Sequence, residues 1–230
     1  MFGASSGIGR ALAETLAKQG AEVWAGCRSG DPGIAGAQPF AFDLGDETSI
    51  AEAADAMSDT PPDLVIVASG VLTLDDGTGP ERSYRSLDPD AMQNVFLLNT
   101  IGPAIVGKHM LPLFGRKERC VFAALSARVG SISDNRLGGW HSYRASKAAL
   151  NMLLRNFAIE LARTHKQALV VGLHPGTVDT QLSEPFQSNL PDGQLTAPGE
   201  AAANLLDVIA KLQPSDSGNV FDYAGKAVPA

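Results

Sequence analysis

Apolar residues in this chain fall into short unbroken runs, separated by longer stretches where they recur every three or four positions. The runs lie at 22–27, 64–69, 120–125, 168–174 and 219–223, with a weaker one at 38–42. Runs of this length, rich in Val, Ile, Leu, Phe and Ala, predict β-strands. Because they are continuously apolar rather than alternating, both faces of their sheet should be covered, which is the condition of a parallel sheet packed between helices. Helical periodicity occupies 10–19, 48–57, 90–114, 143–163 and 199–212. In the first of these Leu12 and Leu16 share a face, and Gly20 is placed to end the helix. The alternation predicts an α/β fold, a single domain over 1–230 built on a doubly wound parallel sheet. Residues 183–198, rich in Pro, Ser, Asn and Gly, predict a loop able to cover a site.

Composition narrows the function classes. A chain of 230 residues, 44% apolar and 19% charged, has the make-up of an ordinary globular domain with a substantial core. A formal charge of −7 supplies no basic footprint, so nucleic acid is not an expected partner. Cys27 and Cys120 are too few for a disulfide framework and too isolated for zinc. His109, His141, His165 and His174 show no ligand spacing, so no metal is expected. No run is long enough to cross a bilayer and no secretory signal opens the sequence, so no membrane partner is expected. Together with the cysteine usage this points to the cytoplasm.

Two local patterns carry chemistry. The first is Gly3-Ala4-Ser5-Ser6-Gly7-Ile8-Gly9, which runs directly into the first helix. Glycines allow a tight turn and close backbone approach, while a helix N-terminus offers free N–H groups at the positive dipole end. That junction suits a pyrophosphate. After the next strand an acidic residue would select the ribose 2′-hydroxyl of NAD, but the strand ends in Cys27-Arg28. Arg28, helped by Ser6 or Arg10, suits a 2′-phosphate instead, so NADP (NADPH) is favoured over NAD. The second pattern is Tyr143 and Lys147, four apart in Ser142-Tyr143-Arg144-Ala145-Ser146-Lys147. Residues four apart share a helix face, and an ammonium beside a phenol should pull its pKa down, making Tyr143 a candidate general acid/base.

Taken together, these residues resemble the short-chain dehydrogenase/reductase superfamily, with its Rossmann-like fold, over nearly the whole chain. Asp43-Leu44 is similar to the family's adenine-contacting pair, although Asp43 also suits a plain turn. Gly70 retains the glycine that closes the family's motif after the fourth strand. Asn99 resembles the helix Asn that holds a water in a proton relay. Pro175-Gly176-Thr177-Val178-Asp179-Thr180 is similar to the loop that contacts the nicotinamide, with Thr180 at the carboxamide. The stretch from Ser126 to Ile132, continuing to Gly138-Gly139-Trp140, looks most like the C-factor and sniffer branch, whose members reduce carbonyls or are tied to signalling.

The resemblance implies hydride transfer to a carbonyl carbon, with Tyr143 giving the proton, Lys147 tuning it and holding the nicotinamide ribose, and Asn99 continuing the relay. The catalytic set is then Tyr143, Lys147, Asn99 and Ser126. The cofactor set is Gly3, Ser5, Ser6, Gly7, Ile8, Gly9, Arg28, Asp43, Leu44, Gly70, Tyr143, Lys147, Pro175, Gly176, Val178 and Thr180. The partner is a small-molecule carbonyl substrate, and the apolar surplus on the 143–163 helix implies a homodimer or homotetramer. The runner-up is an NAD(P)-binding regulatory protein with little or no turnover.

Three features depart from the family pattern. An ungapped alignment puts Ala127 where a substrate-binding Ser is usual; Ser126, one place earlier, is the favoured substitute and Ser131 the second candidate. Adjacent strand residues face opposite ways, so that shift matters. Val67-Ala68-Ser69-Gly70 replaces a motif with two amides, a change that strands no polar group. Lastly, the glycine loop begins at residue 3, so the central strand that should feed it is truncated. The expected cost is poor folding or weak cofactor binding, relieved by about six apolar residues ahead of Met1. Trp140 and His141 either line the substrate side or pack the loop.

Overall fold

A computed structural model describes residues 1–189 and 194–230. The elements follow the apolar pattern closely: α1 (Gly7–Lys18), β1 (Val23–Cys27), β2 (Ala37–Ala41), α2 (Glu47–Ala56), β3 (Leu64–Val67), α3 (Pro89–Phe96), α4 (Gly102–Met110), β4 (Val121–Leu125), α5 (His141–Leu161), β5 (Leu169–His174), β6 (Thr177–Val178), β7 (Leu195–Thr196), α6 (Pro198–Lys211) and β8 (Val220–Asp222). β1 pairs with β2, and β3, β4, β5 and β8 pair in that order, every pairing parallel.

The two groups of strands meet across the N-terminus. Phe2 forms parallel bridges to Gly26 on one side and Val67 on the other. Phe2 N–H donates to the Ile66 carbonyl at 2.8 Å, the Ala68 N–H donates to the Phe2 carbonyl at 2.8 Å, and the Gly26 N–H donates to the Met1 carbonyl at 2.9 Å. Residues 1–4 thus run through the central slot, with no regular strand there. The Phe2 ring is 1% exposed and packs edge-on against Phe40 and Phe42, each 5.1 Å away, which ties β2 to the sheet.

Strand parity sorts the core into two layers. Val121 and Ala123 face the side covered by α1 and α6, with Leu12, Leu205 and Ile209. Phe122 and Ala124 face the side covered by α2, α4 and α5, with Ile50, Met110, Leu150 and Leu154. This is the doubly wound arrangement that the unbroken apolar strands imply.

Two segments differ from the sequence reading. The helix expected over 90–114 is interrupted by a π-helical turn, Leu97–Ile101, and tightens to a 3-10 turn at Leu111–Leu113. The apolar periodicity continues through the turn, so it leaves no sequence signal, yet the wider winding buries Asn99 and Thr100 together. The stretch at 183–198 contains a 3-10 segment, Glu184–Asn189, and the strand β7, which pairs with β6. Residues 190–193 of that loop lie outside the described residues. No helix among the described residues is long and apolar enough to cross a membrane.

Candidate active site

At the carboxyl ends of the strands lies a groove of about 660 Å³, within the range of cofactor and small-ligand sites. One end is built by the turn between residue 2 and α1. Gly3 and Gly7 have φ of +97° and +54°, and Ser5 and Ser6 are exposed at the helix mouth. A Cβ on Gly7 would lie 3.1 Å from Thr180, so the Pro175–Thr180 segment closes over the same turn. Gly9 does not line the groove; a Cβ there would overlap the Gly3 carbonyl oxygen, so its role is to let α1 sit against the turn. Free N–H groups at a helix N-terminus, backbone stripped of side chains and Arg28 at the rim match what a dinucleotide phosphate needs. Arg10 does not reach this site: it donates to the Pro32 carbonyl at 2.7 Å and pairs with Glu14 at 2.9 Å, bracing the turn after β1. Asp43 lines the groove, but its carboxylate accepts from the Gly45 N–H at 2.7 Å and so also shapes its own turn. Leu44, Gly70, Pro175, Gly176 and Val178 line the groove as well.

The other end is built on the first turns of α5. Tyr143 and Lys147 are 9% and 4% exposed, and the ammonium lies 5.8 Å from the phenol ring centroid. The Lys147 Nζ donates to the Leu125 carbonyl at 2.8 Å. Burial lowers the Lys147 pKa from its ordinary 10.5 to about 8, and burial raises that of Tyr143 from 10.0 to about 12. The shift of the phenol is therefore upward, not downward as the spacing suggested, and its cause is removal from water. A phenol so placed is protonated throughout the neutral range.

Asn99 is fully buried beneath this pair and does not line the groove. It accepts from the Val71 N–H and donates to the Val71 carbonyl, both at 2.8 Å, and donates to Ser146 Oγ at 3.2 Å. Ser146 in turn donates to the Tyr143 carbonyl at 2.8 Å. The side-chain amide thus ties the Val71 backbone, after β3, to α5. Gly70 fits between Asn99 and Lys147; a Cβ there would lie 2.9 Å from the amide oxygen and 3.4 Å from Nζ.

Ser126 lines the groove, but its hydroxyl is turned to α5. Parity places it on the α5-facing side with Ala124, and its hydroxyl donates to Asn151 Oδ1 at 2.6 Å. Ser131 is buried away from the groove, beside Asp134 and Ala230. Ala127 packs with Leu72 and Tyr143. The residue packed beside the phenol therefore carries a methyl group.

Of the two roles the sequence left open for Trp140, the structure shows it lining the groove, while Phe186, Glu81 and His174 escaped the sequence reading. Trp140, with φ +50°, packs on Tyr143 at 6.2 Å and on Phe186 at 5.1 Å, forming an aromatic wall of the groove. Glu81 accepts from both the N–H and the hydroxyl of Ser142, and its carbonyl accepts from the Trp140 N–H at 2.5 Å. It caps α5 from a distant segment, a contact that no local spacing signals. His174 also lines the groove; burial lowers its pKa to about 4 and its Nδ1 has no hydrogen-bond partner, so it is neutral near pH 7.

Comparison with known proteins agrees with this geometry. A family model described as short chain dehydrogenase matches residues 1–191. The chain is 32% identical over 224 residues to 1-hydroxy-2-glutathionyl-2-methyl-3-butene dehydrogenase of Rhodococcus sp. (strain AD45), covering 95% of this chain and 92% of that protein. It is 36% identical over 169 residues to C-signal of Myxococcus xanthus, covering 74% and 93% respectively. The NADPH-bound carbonyl reductase from chicken fatty liver superposes with a TM-score of 0.83 at 25% identity, covering 100% of this chain and 92% of that one.

Proposed function

The chain belongs to the short-chain dehydrogenase family, and from that premise we propose that it is an NADPH-dependent reductase of small or medium aldehydes and ketones. One observation carries the reading. A single groove joins a phosphate-shaped glycine turn, with Arg28 at its rim, to a buried phenol and ammonium at its far end. The carbonyl reductase with bound NADPH named above supports the choice of cofactor and reaction.

Ser5, Ser6, Gly7 and Ile8 present the N-terminus of α1 to the pyrophosphate, Arg28 meets the 2′-phosphate, and Thr180 holds the carboxamide side. When bound, NADPH supplies the hydride to the carbonyl carbon. Tyr143, protonated at neutral pH, gives its proton to the carbonyl oxygen as charge develops there. Lys147, cationic below about pH 8, stabilises the phenolate left behind and holds the nicotinamide ribose. Asn99 is a positioning residue: it fixes Val71 and, through Ser146, the turn of α5 that carries the phenol. Trp140 and Phe186 give the substrate side an apolar wall that keeps water from the reacting atoms.

NADPH oxidation with a panel of aldehydes, ketones and quinones tests the reading. Wild-type turnover that is lost in Tyr143→Phe supports it; turnover that survives in the variant contradicts it. A second reading, a cofactor-binding regulator, draws on Ala127 standing beside Tyr143 where the family usually has a hydroxyl. Tight NADPH binding with no turnover on any of those substrates would favour it.

A further inference from the structure

Arg28 follows β1, and the carboxylate that the fold brings to it comes not from the neighbouring Asp31, which accepts from the Gly33 N–H, but from a distant segment. Residues 74–78 form a closed turn: the Leu74 N–H donates to the Thr78 carbonyl and the Gly77 N–H to the Leu74 carbonyl, both at 2.9 Å. Gly77, at φ +87°, supplies the left-handed residue that such a turn needs. The two acidic residues of the turn then point to different tasks. Asp76 faces inward and accepts from the Thr78 N–H at 2.8 Å. Asp75 faces outward, and its carboxylate lies 3.7 Å from the Arg28 guanidinium, with both residues lining the groove.

The other cations are committed elsewhere. Arg10 is tied to the 32–33 backbone and Glu14, Arg128 to Asp134 at 2.6 Å, and Lys147 to the Leu125 carbonyl. Among the described residues, Arg28 is the groove-lining cation left to meet a phosphate at this rim, and Asp75 already faces it. We propose that Asp75 is a specificity-determining residue that competes with the cofactor's 2′-phosphate for Arg28 and narrows the margin of NADPH over NADH. The inference rests on the reading of this groove as an NADPH site.

The chemistry follows from charge. A 2′-phosphate brings close to two negative charges and must displace or share the Asp75 carboxylate to bind Arg28. A 2′-hydroxyl brings none and can donate to that carboxylate. Both side chains are well exposed, 74% for Arg28 and 91% for Asp75, so the competition is modest and salt-sensitive.

Fluorescence titration of NADPH and NADH into wild type, Asp75→Asn, Arg28→Ala and the double variant tests the proposal. Asp75→Asn is expected to tighten NADPH binding about three- to fivefold at low salt, with a smaller gain at high salt and no tightening of NADH. Arg28→Ala is expected to weaken NADPH about tenfold or more, and Asp75→Asn should recover less in that background than in wild type. If Arg28→Ala weakens NADPH but Asp75→Asn leaves it unchanged, Asp75 has no such role while the NADPH reading stands. If Arg28→Ala itself has no effect, the 2′-phosphate reading and the proposal fall together.

Discussion

Replacing Lys147 with Met should abolish reduction yet make the protein more stable near neutral pH. The ammonium is 4% exposed, and burial brings its pKa from 10.5 to about 8. Between those values the unfolded chain holds the proton more tightly than the folded one, so stability rises with pH across about 8 to 10.5. Below the folded value the whole penalty applies, and that gap corresponds to about 3 kcal/mol. Met has a similar length and no charge. It forfeits the hydrogen bond to the Leu125 carbonyl, worth about 1 kcal/mol. The net gain near neutrality is about 2 kcal/mol, or about 4–8 °C in melting temperature for a chain of this size. Thermal unfolding of both proteins across a pH series, without cofactor, is the assay. The advantage of Lys147→Met should shrink as pH rises above 8 and reverse once wild-type Lys147 is neutral in both states. A difference that stays constant with pH, or a wild type more stable throughout, would refute the claim that this amine is held charged against the cost of burial.

Further outcomes follow from the same geometry. Ala127→Ser should place a hydroxyl beside Tyr143 and raise kcat/KM, whereas Ser126→Ala should lower the unfolding midpoint by breaking the bond to Asn151, with little change in rate. Asn99→Leu strands the N–H and carbonyl of Val71, costing about 1–3 kcal/mol for each unsatisfied group in urea unfolding. The rate of reduction at saturating NADPH should fall as pH rises through about 8, where Lys147 loses its proton while Tyr143, at about 12, keeps its own.

Sequence legibility followed the range of the interactions. Tyr143 and Lys147 were readable because one helical turn fixes their separation, and the glycine turn because its function is local backbone freedom. The parallel sheet and the burial of its strands followed from apolar runs that need cover on both faces. The hydrogen bond that turns the Ser126 hydroxyl to α5 was not readable, because its partner Asn151 lies 25 residues on in another element. The π-helical turn at Leu97–Ile101 was invisible because the apolar spacing runs straight through it. Glu81 capping α5 and Asp75 facing Arg28 are tertiary contacts between segments with no common motif. The sign of the Tyr143 shift was missed for another reason: spacing reveals a neighbouring charge, but not how much water the fold removes.

Transfer of the label from NADPH deuterated at the nicotinamide C4 bears most directly on the central claim. Mass spectrometry of the alcohol formed from an aldehyde or ketone should find deuterium on the carbinol carbon with wild type and no such product with Tyr143→Phe. Deuterated alcohol at undiminished yield from Tyr143→Phe, or no deuterated alcohol from wild type with any carbonyl despite tight NADPH binding, would contradict the account.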